Sequence, residues 1–120
     1  MQRQRIAQIL LTIALVIVFG WFGIDKLIEP LLWRGFMPSW MDGLFGFPID
    51  TWLVVVGVSE MALAILLLIP IRKVRLVGAA LVALHLLVII TQLFVDAGWN
   101  DLVVRDIGLF FASVALLLLL

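Results

Sequence analysis

The chain has 120 residues, 66% of them hydrophobic and only 13% charged, with a mean hydropathy of +1.31. A soluble domain carries about 45–50% apolar and about 25% charged residues, and so small a fold cannot hide the excess, so lipid must be the main solvent. Zero net charge without a basic tract argues against a nucleic-acid partner, and the lack of cysteine excludes disulfides, thiolate metal sites and CxxC redox chemistry within the chain.

The first apolar span covers about 6–28 and ends at Glu29-Pro30. It follows Arg3 and Arg5, is too long for a signal-peptide core and has no small-x-small cleavage site after it, so it reads as a retained membrane span. A segment of mixed character follows, 30–48, with Trp33, Phe36, Met37, Trp40, Leu44, Phe45 and Phe47 at 3–4 spacing. It is expected to form a short interfacial helix or re-entrant piece, broken at Pro38, Gly43 and Gly46. Two roles stay open for it: a hydrophobic cap on the bundle, or a lid over a lipid-derived ligand.

The second span, 49–69, is opened by Pro48 and Asp50 and stopped by Pro70. The third, 74–95, is closed by Asp96-Ala97-Gly98. The fourth, 102–120, is opened by Asn100-Asp101. Each meets the ~20 residues needed to cross a ~30 Å hydrocarbon core, and only a helix satisfies its own backbone there. The expected fold is all-α, one membrane domain over 1–120, a four-transmembrane-helix bundle.

Arg72, Lys73 and Arg75 fill the second connection, whereas the third, Asp96–Asp101, has acids and no bases. The positive-inside rule then puts both termini in the cytoplasm. Trp33, Trp40, Trp52 and Trp99 fall near the opposite interface, where an indole keeps its N–H wet.

Charged residues inside the spans are the candidate functional groups, because each costs roughly 2.5–3.5 kcal/mol at a bilayer centre on insertion scales. Asp25 and Lys26 lie about one turn inside the end of span one; Arg105 and Asp106 lie about one turn inside the start of span four. Cross-pairing of Asp25 with Arg105 and Lys26 with Asp106, or local equivalents, would neutralise all four. One member of each adjacent pair should face the core, since neighbours on a helix diverge by ~100°. Lys26 is free to snorkel outward, and Arg105 can grip a carboxylate with both arms. The cluster serves either as a register lock or as the polar floor of a pocket for an anionic or carbonyl group.

Glu60 and His85 each sit about ten residues from either end of their spans and are expected to meet near the midplane. An interhelical clamp and a proton-relay or quinone site are both open readings. Small residues flank these groups: Gly57 and Ala64 around Glu60; Gly78, His85 and Gln92 at sevens; Gly20 and Gly23 before Lys26; Asp101, Arg105, Gly108, Ala112 and Ala115 along span four. These stripes are expected to be the packed faces.

Four elements together resemble the DoxX/DoxD-like family of small four-helix membrane proteins. They are Phe22-Gly23-Ile24-Asp25-Lys26-Leu27, Gly57-Val58-Ser59-Glu60 with Ala62, the basic turn after Pro70, and Val104-Arg105-Asp106-Ile107-Gly108-Leu109. The resemblance implies a multi-pass protein of a prokaryotic cytoplasmic (inner) membrane. It further implies an accessory subunit of a redox or stress-response assembly, with a redox partner subunit and a quinone as the ligand to consider. No flavin, haem or iron–sulfur signature is visible, so independent catalysis is not expected. Other expected partners are membrane lipid and, as an option, further copies of the chain. The candidate ligand-binding residues are Glu60, His85, Asp25, Lys26, Arg105, Asp106, Trp33 and Trp40. A small-molecule binding or transport module and a purely structural scaffold are the competing classes.

Overall fold

Prolines and one asparagine set the helix boundaries. The computed structural model describes residues 1–120. Helix α1 runs Gln2–Ile28, α2 Pro30–Arg34, α3 Ile49–Leu68, α4 Arg72–Ala97 and α5 Asp101–Leu119, and there are no strands. Pro30 occupies the first turn of α2, where its missing N–H costs nothing. Helix α3 stops just short of Pro70. The Asn100 side chain caps α5 by accepting from the Val103 N–H at 3.0 Å.

Helices α1, α3, α4 and α5 are each long and apolar enough to cross a membrane, which makes this a multi-pass membrane protein. They form a four-helix bundle. Helix α1 packs most closely on α3 and α4 on α5, while α3–α4 and α1–α5 contacts close the ring. Only 21 of 120 residues are buried, and large apolar side chains such as Ile17, Trp21, Leu84 and Phe111 point outward. In lipid that exposure is no defect, because association must come from close packing and polar contacts instead of apolar burial.

Glycine provides the close packing at two crossings. A Cβ added to Gly23 would meet the Gly57 carbonyl oxygen at 2.7 Å, and one added to Gly57 would meet the Gly23 oxygen at 2.9 Å. The α1 and α3 backbones therefore touch. A Cβ on Gly78 would lie 3.1 Å from Leu66 Cβ, so α4 meets α3 tightly near their connecting turn. The half of the bundle near the termini is filled by Leu15, Phe19, Leu63, Ala64, Leu67, Ala79, Val82, Leu86 and Leu116. The other half, toward the loops, is not packed solid.

Span four is rotated relative to the expected stripe. Its buried residues are Val103, Asp106, Ser113 and Leu116, while Asp101, Arg105 and Gly108 are exposed. No atom lies within 4 Å of a Cβ built on Gly108. The carboxylate decides the rotation: keeping Asp106 out of lipid is worth more than hiding a glycine that has no side chain to pack.

Between α1 and α3 the chain forms α2 and two short 3₁₀ turns, Ser39–Met41 and Leu44–Gly46. Gly43 and Gly46 adopt φ of +86° and +83°, as the turn requires. An Arg34–Asp50 ion pair ties the segment to the start of α3, and it raises the Arg34 pKa above its ordinary value through a hydrogen bond and charge. The Trp52 indole donates to the Leu44 carbonyl at 3.1 Å.

A side chain at the touching glycines should force α1 and α3 apart. Gly23→Leu or Gly57→Leu is expected to destabilise the bundle by about 1–3 kcal/mol. Gly20→Leu and Gly108→Leu, which face open space, should unfold close to wild type. Thermal unfolding in detergent, followed by circular dichroism, checks the contrast.

Candidate functional site

The Gly23–Gly57 contact places Lys26 beside Glu60. Gly23 lies five residues from the end of α1, but Gly57 lies eight from the start of α3. The two spans are thus vertically offset, and the Lys26 side chain extends toward the membrane interior instead of snorkelling outward. Its Nζ lies 2.9 Å from Glu60 Oε1 and 3.0 Å from Oε2. Both side chains are buried, at 9% and 3% exposure. Neither proposed partner of Lys26 and Asp25 on span four is used: the expected cross-pairing of span one with span four does not form.

The other members find nearer partners. Arg105 turns back onto its neighbour Asp106, with Nε at 3.0 Å and Nη2 at 2.9 Å from the same oxygen, Oδ1. This is a two-armed grip on one atom rather than a fork across two. Asp25 accepts a hydrogen bond from the Trp33 indole at 2.8 Å. Of each adjacent pair, Lys26 and Asp106 are the buried members and Asp25 and Arg105 the more open ones, the divergence expected of neighbours on a helix.

Aromatic rings tile the gaps between these charges. The Trp33 ring, held by Asp25, covers the Lys26 ammonium at 4.0 Å. Phe22 packs on Trp33 at 5.2 Å and lies under the Arg105 guanidinium at 4.8 Å. A desolvated cation over an aromatic face gains about 2 kcal/mol, far more than at an exposed site.

His85 completes the centre from α4. Its Nε2 lies 3.5 Å from Glu60 Oε1, the oxygen that already meets the Lys26 ammonium, and Nε2 itself is buried without a hydrogen-bond partner. That separation exceeds a normal N–H···O bond by about half an ångström. A small shift would close it. Phe19 meets the imidazole edge-on at 5.7 Å. Glu60 and His85 are neighbours at one depth, but they are not a separate midplane pair: Glu60 joins Lys26, so the midplane group and the outer cluster form one centre. Depths counted from each span's own end had divided them, because that count assumes that all spans end at a common level.

A cavity of about 360 Å³ opens above this centre. It falls within the ~300–1,000 Å³ typical of small-molecule sites. Seven of the eight candidate residues line it: Lys26, Trp33, Trp40, Glu60, His85, Arg105 and Asp106. Asp25 does not, and acts through its hold on Trp33. Phe36, Met37, Pro38, Trp40 and Met41 roof the space from the α1–α3 connection. The lining is mostly hydrophobic, with Ser59 and Gln92 as further polar residues beside the charged groups and His85. Phe19, Phe22 and Ser59 were not singled out as site residues by sequence. Phe19 and Phe22 could have been found as aromatics one and two turns before Lys26 on its own face.

The chain matches no protein-family model, no curated protein and no solved structure. The fold and site therefore define a class only: a four-helix membrane protein with a polar, aromatic-roofed cavity in one half of the bundle.

Removing one partner of the buried pair should strand the other. Lys26→Met is expected to cost about 3–5 kcal/mol by leaving the Glu60 carboxylate unpaired. The double variant Lys26→Met/Glu60→Leu should recover most of that loss. A double variant destabilised by the sum of the losses in Lys26→Met and Glu60→Leu alone, by thermal unfolding in detergent, would show that the pair is not coupled.

Proposed function

We propose that this protein is a membrane-embedded binding module for a small, mostly apolar molecule with an oxygen-bearing polar head, with a quinone as the ligand. The observation that carries this reading is the single cavity joining a charged floor to an aromatic roof. The floor is charge-balanced, with Lys26 against Glu60 and Arg105 against Asp106. A neutral head group suits such a floor better than an ion, which would leave one charge uncompensated in a low-dielectric site. Arg105 keeps 39% of its side chain open, so a ring oxygen can meet a donor from α5, while the imidazole of His85 lines the cavity from α4. Phe22, Phe36, Trp33 and Trp40 supply faces for its apolar ring.

In this reading the protein serves as an accessory subunit of a redox or stress-response assembly of the DoxX-like kind, in a prokaryotic inner membrane. Both termini lie in the cytoplasm. Arg3, Arg5, Arg72, Lys73 and Arg75 gather at the end of the bundle that carries the termini, and no acidic residue lies there. The Arg72 guanidinium donates to the Leu120 carbonyl, and Arg75 donates to Thr12 at 2.6 Å, which ties that end together. The positive-inside rule favours that end as cytoplasmic.

Native mass spectrometry of protein purified in mild detergent tests the ligand. A quinone is expected to co-purify with the wild type. Its occupancy should fall about tenfold in Glu60→Gln and in His85→Leu, the loss of roughly 1.4 kcal/mol of binding. Equal occupancy in folded variants, or no quinone bound even after addition, would reject the quinone.

A further inference from the structure

The cavity has a wall that faces lipid. Val55 on α3 and Val88 on α4 both line it, yet they are 48% and 61% exposed on the outer surface of the bundle. The two helices pack most tightly at the other end. There Gly78 sits against Leu66, and the short turn at Pro70 joins them. Farther along, α3 and α4 are bridged by Glu60 and His85, beyond which Val55, Val56, Val88 and Ile89 border empty space. The α1–α3 seam is closed by touching glycines, and at the α1–α5 seam Arg105 lies over Phe22. At the α3–α4 seam the two lining residues that are also exposed, Val55 and Val88, are small and β-branched.

We infer that the α3–α4 seam is a lateral portal, through which a bilayer-dissolved amphiphile enters and along which its tail lies between Val55 and Val88. The inference rests on reading the cavity as a ligand site and names the class of ligand it takes: one that partitions into the membrane, with a neutral head and an apolar tail. The segment between α1 and α3 roofs the cavity on its loop side. Its Pro38 is buried, and the Arg34–Asp50 pair fastens it to α3. A molecule arriving through the seam leaves its tail in hydrocarbon, and only its head meets Arg105 and His85. Desolvating a tail-bearing ligand is then unnecessary, because its apolar part never leaves an apolar solvent.

The chain has no cysteine, so one introduced thiol reports access without background. Ser59 lines the cavity, and Ser59→Cys preserves its size. Protein in lipid nanodiscs is treated with a dodecyl maleimide, which resides in the bilayer, or with a permanently charged methanethiosulfonate, which does not. The portal predicts labelling by the maleimide and not by the charged reagent. Adding Val55→Trp and Val88→Trp should slow maleimide labelling about tenfold. Both positions face lipid, so an unchanged melting temperature verifies the fold. Comparable labelling by the charged reagent, no labelling by either, or full labelling in the tryptophan double variant would each overturn the portal. A long-tailed quinone should protect the thiol, and the same ring without a tail should protect it much less. Equal protection by both overturns the placement of the tail. Failure of both to protect, with the labelling pattern intact, leaves the portal standing and rejects the quinone.

Discussion

The ion pair between Lys26 and Glu60 is the interaction on which the rest of the bundle depends. Two opposite charges buried in a membrane protein are tolerable only in near-perfect contact, since each carries a desolvation cost of several kcal/mol. That contact requires α1 and α3 to approach backbone to backbone, and Gly23 and Gly57 permit it. The relation runs both ways. Apolar side chains do not drive helices together in lipid, so the pair supplies a reason for α1 and α3 to meet, and the glycines supply the room. Helix α1 is thereby fixed in height as well as direction, and with it Phe19 and Phe22 on the same face.

The cavity is a consequence of the same chemistry. Near the termini, the four helices interlock through leucine, alanine and valine with Phe19. Toward the loops the facing residues are Lys26, Glu60, His85 and Asp106, and such groups cannot be pressed together like methyl groups. Each needs a partner at a defined distance and angle. Rigid rings fill part of the remainder, held by Asp25 on Trp33 and by the cation contacts on Phe22. What is left is a space whose shape is set by polar geometry. Its preformed character follows from the tight partnering of most groups around it.

The spans were legible in the sequence because lipid imposes a single requirement, a long apolar helix, and Pro48, Pro70 and Asn100 mark where it starts and stops. Which residues carry the polar site was legible for a similar reason: charge is rare at these depths, so every instance counts. Their pairing was not legible. Hydropathy gives each span its own length but no vertical offset against its neighbours, and the offset of α1 against α3 is what joins Lys26 to Glu60. The face of α5 was misread because small residues at 101–115 and the carboxylate at 106 point different ways, and periodicity alone assigns them no weights. The cost of an unpartnered charge in lipid settles that conflict in favour of Asp106. The roof stays open between cap and lid at the level of sequence, because apolar residues at 3–4 spacing in a connection say nothing about what lies beneath them.

All eight acidic residues lie in the loop half of the chain or at its boundary, whereas five of the eight basic residues lie at the terminal end. Three cations, Lys26, Arg34 and Arg105, depart from that division, and each is paired with a carboxylate or lies against one. They therefore stand apart from the basic cluster at the terminal end. Arg34 fastens the roof. Lys26 and Arg105 each neutralise a buried carboxylate, and each is also covered by an aromatic ring. A lock on helix register would need only the ion pairs. The rings cover a further face of each cation, Trp33 on Lys26 and Phe22 on Arg105. The site thus combines charge-balanced polar groups with aromatic cover, more than a lock on helix register needs.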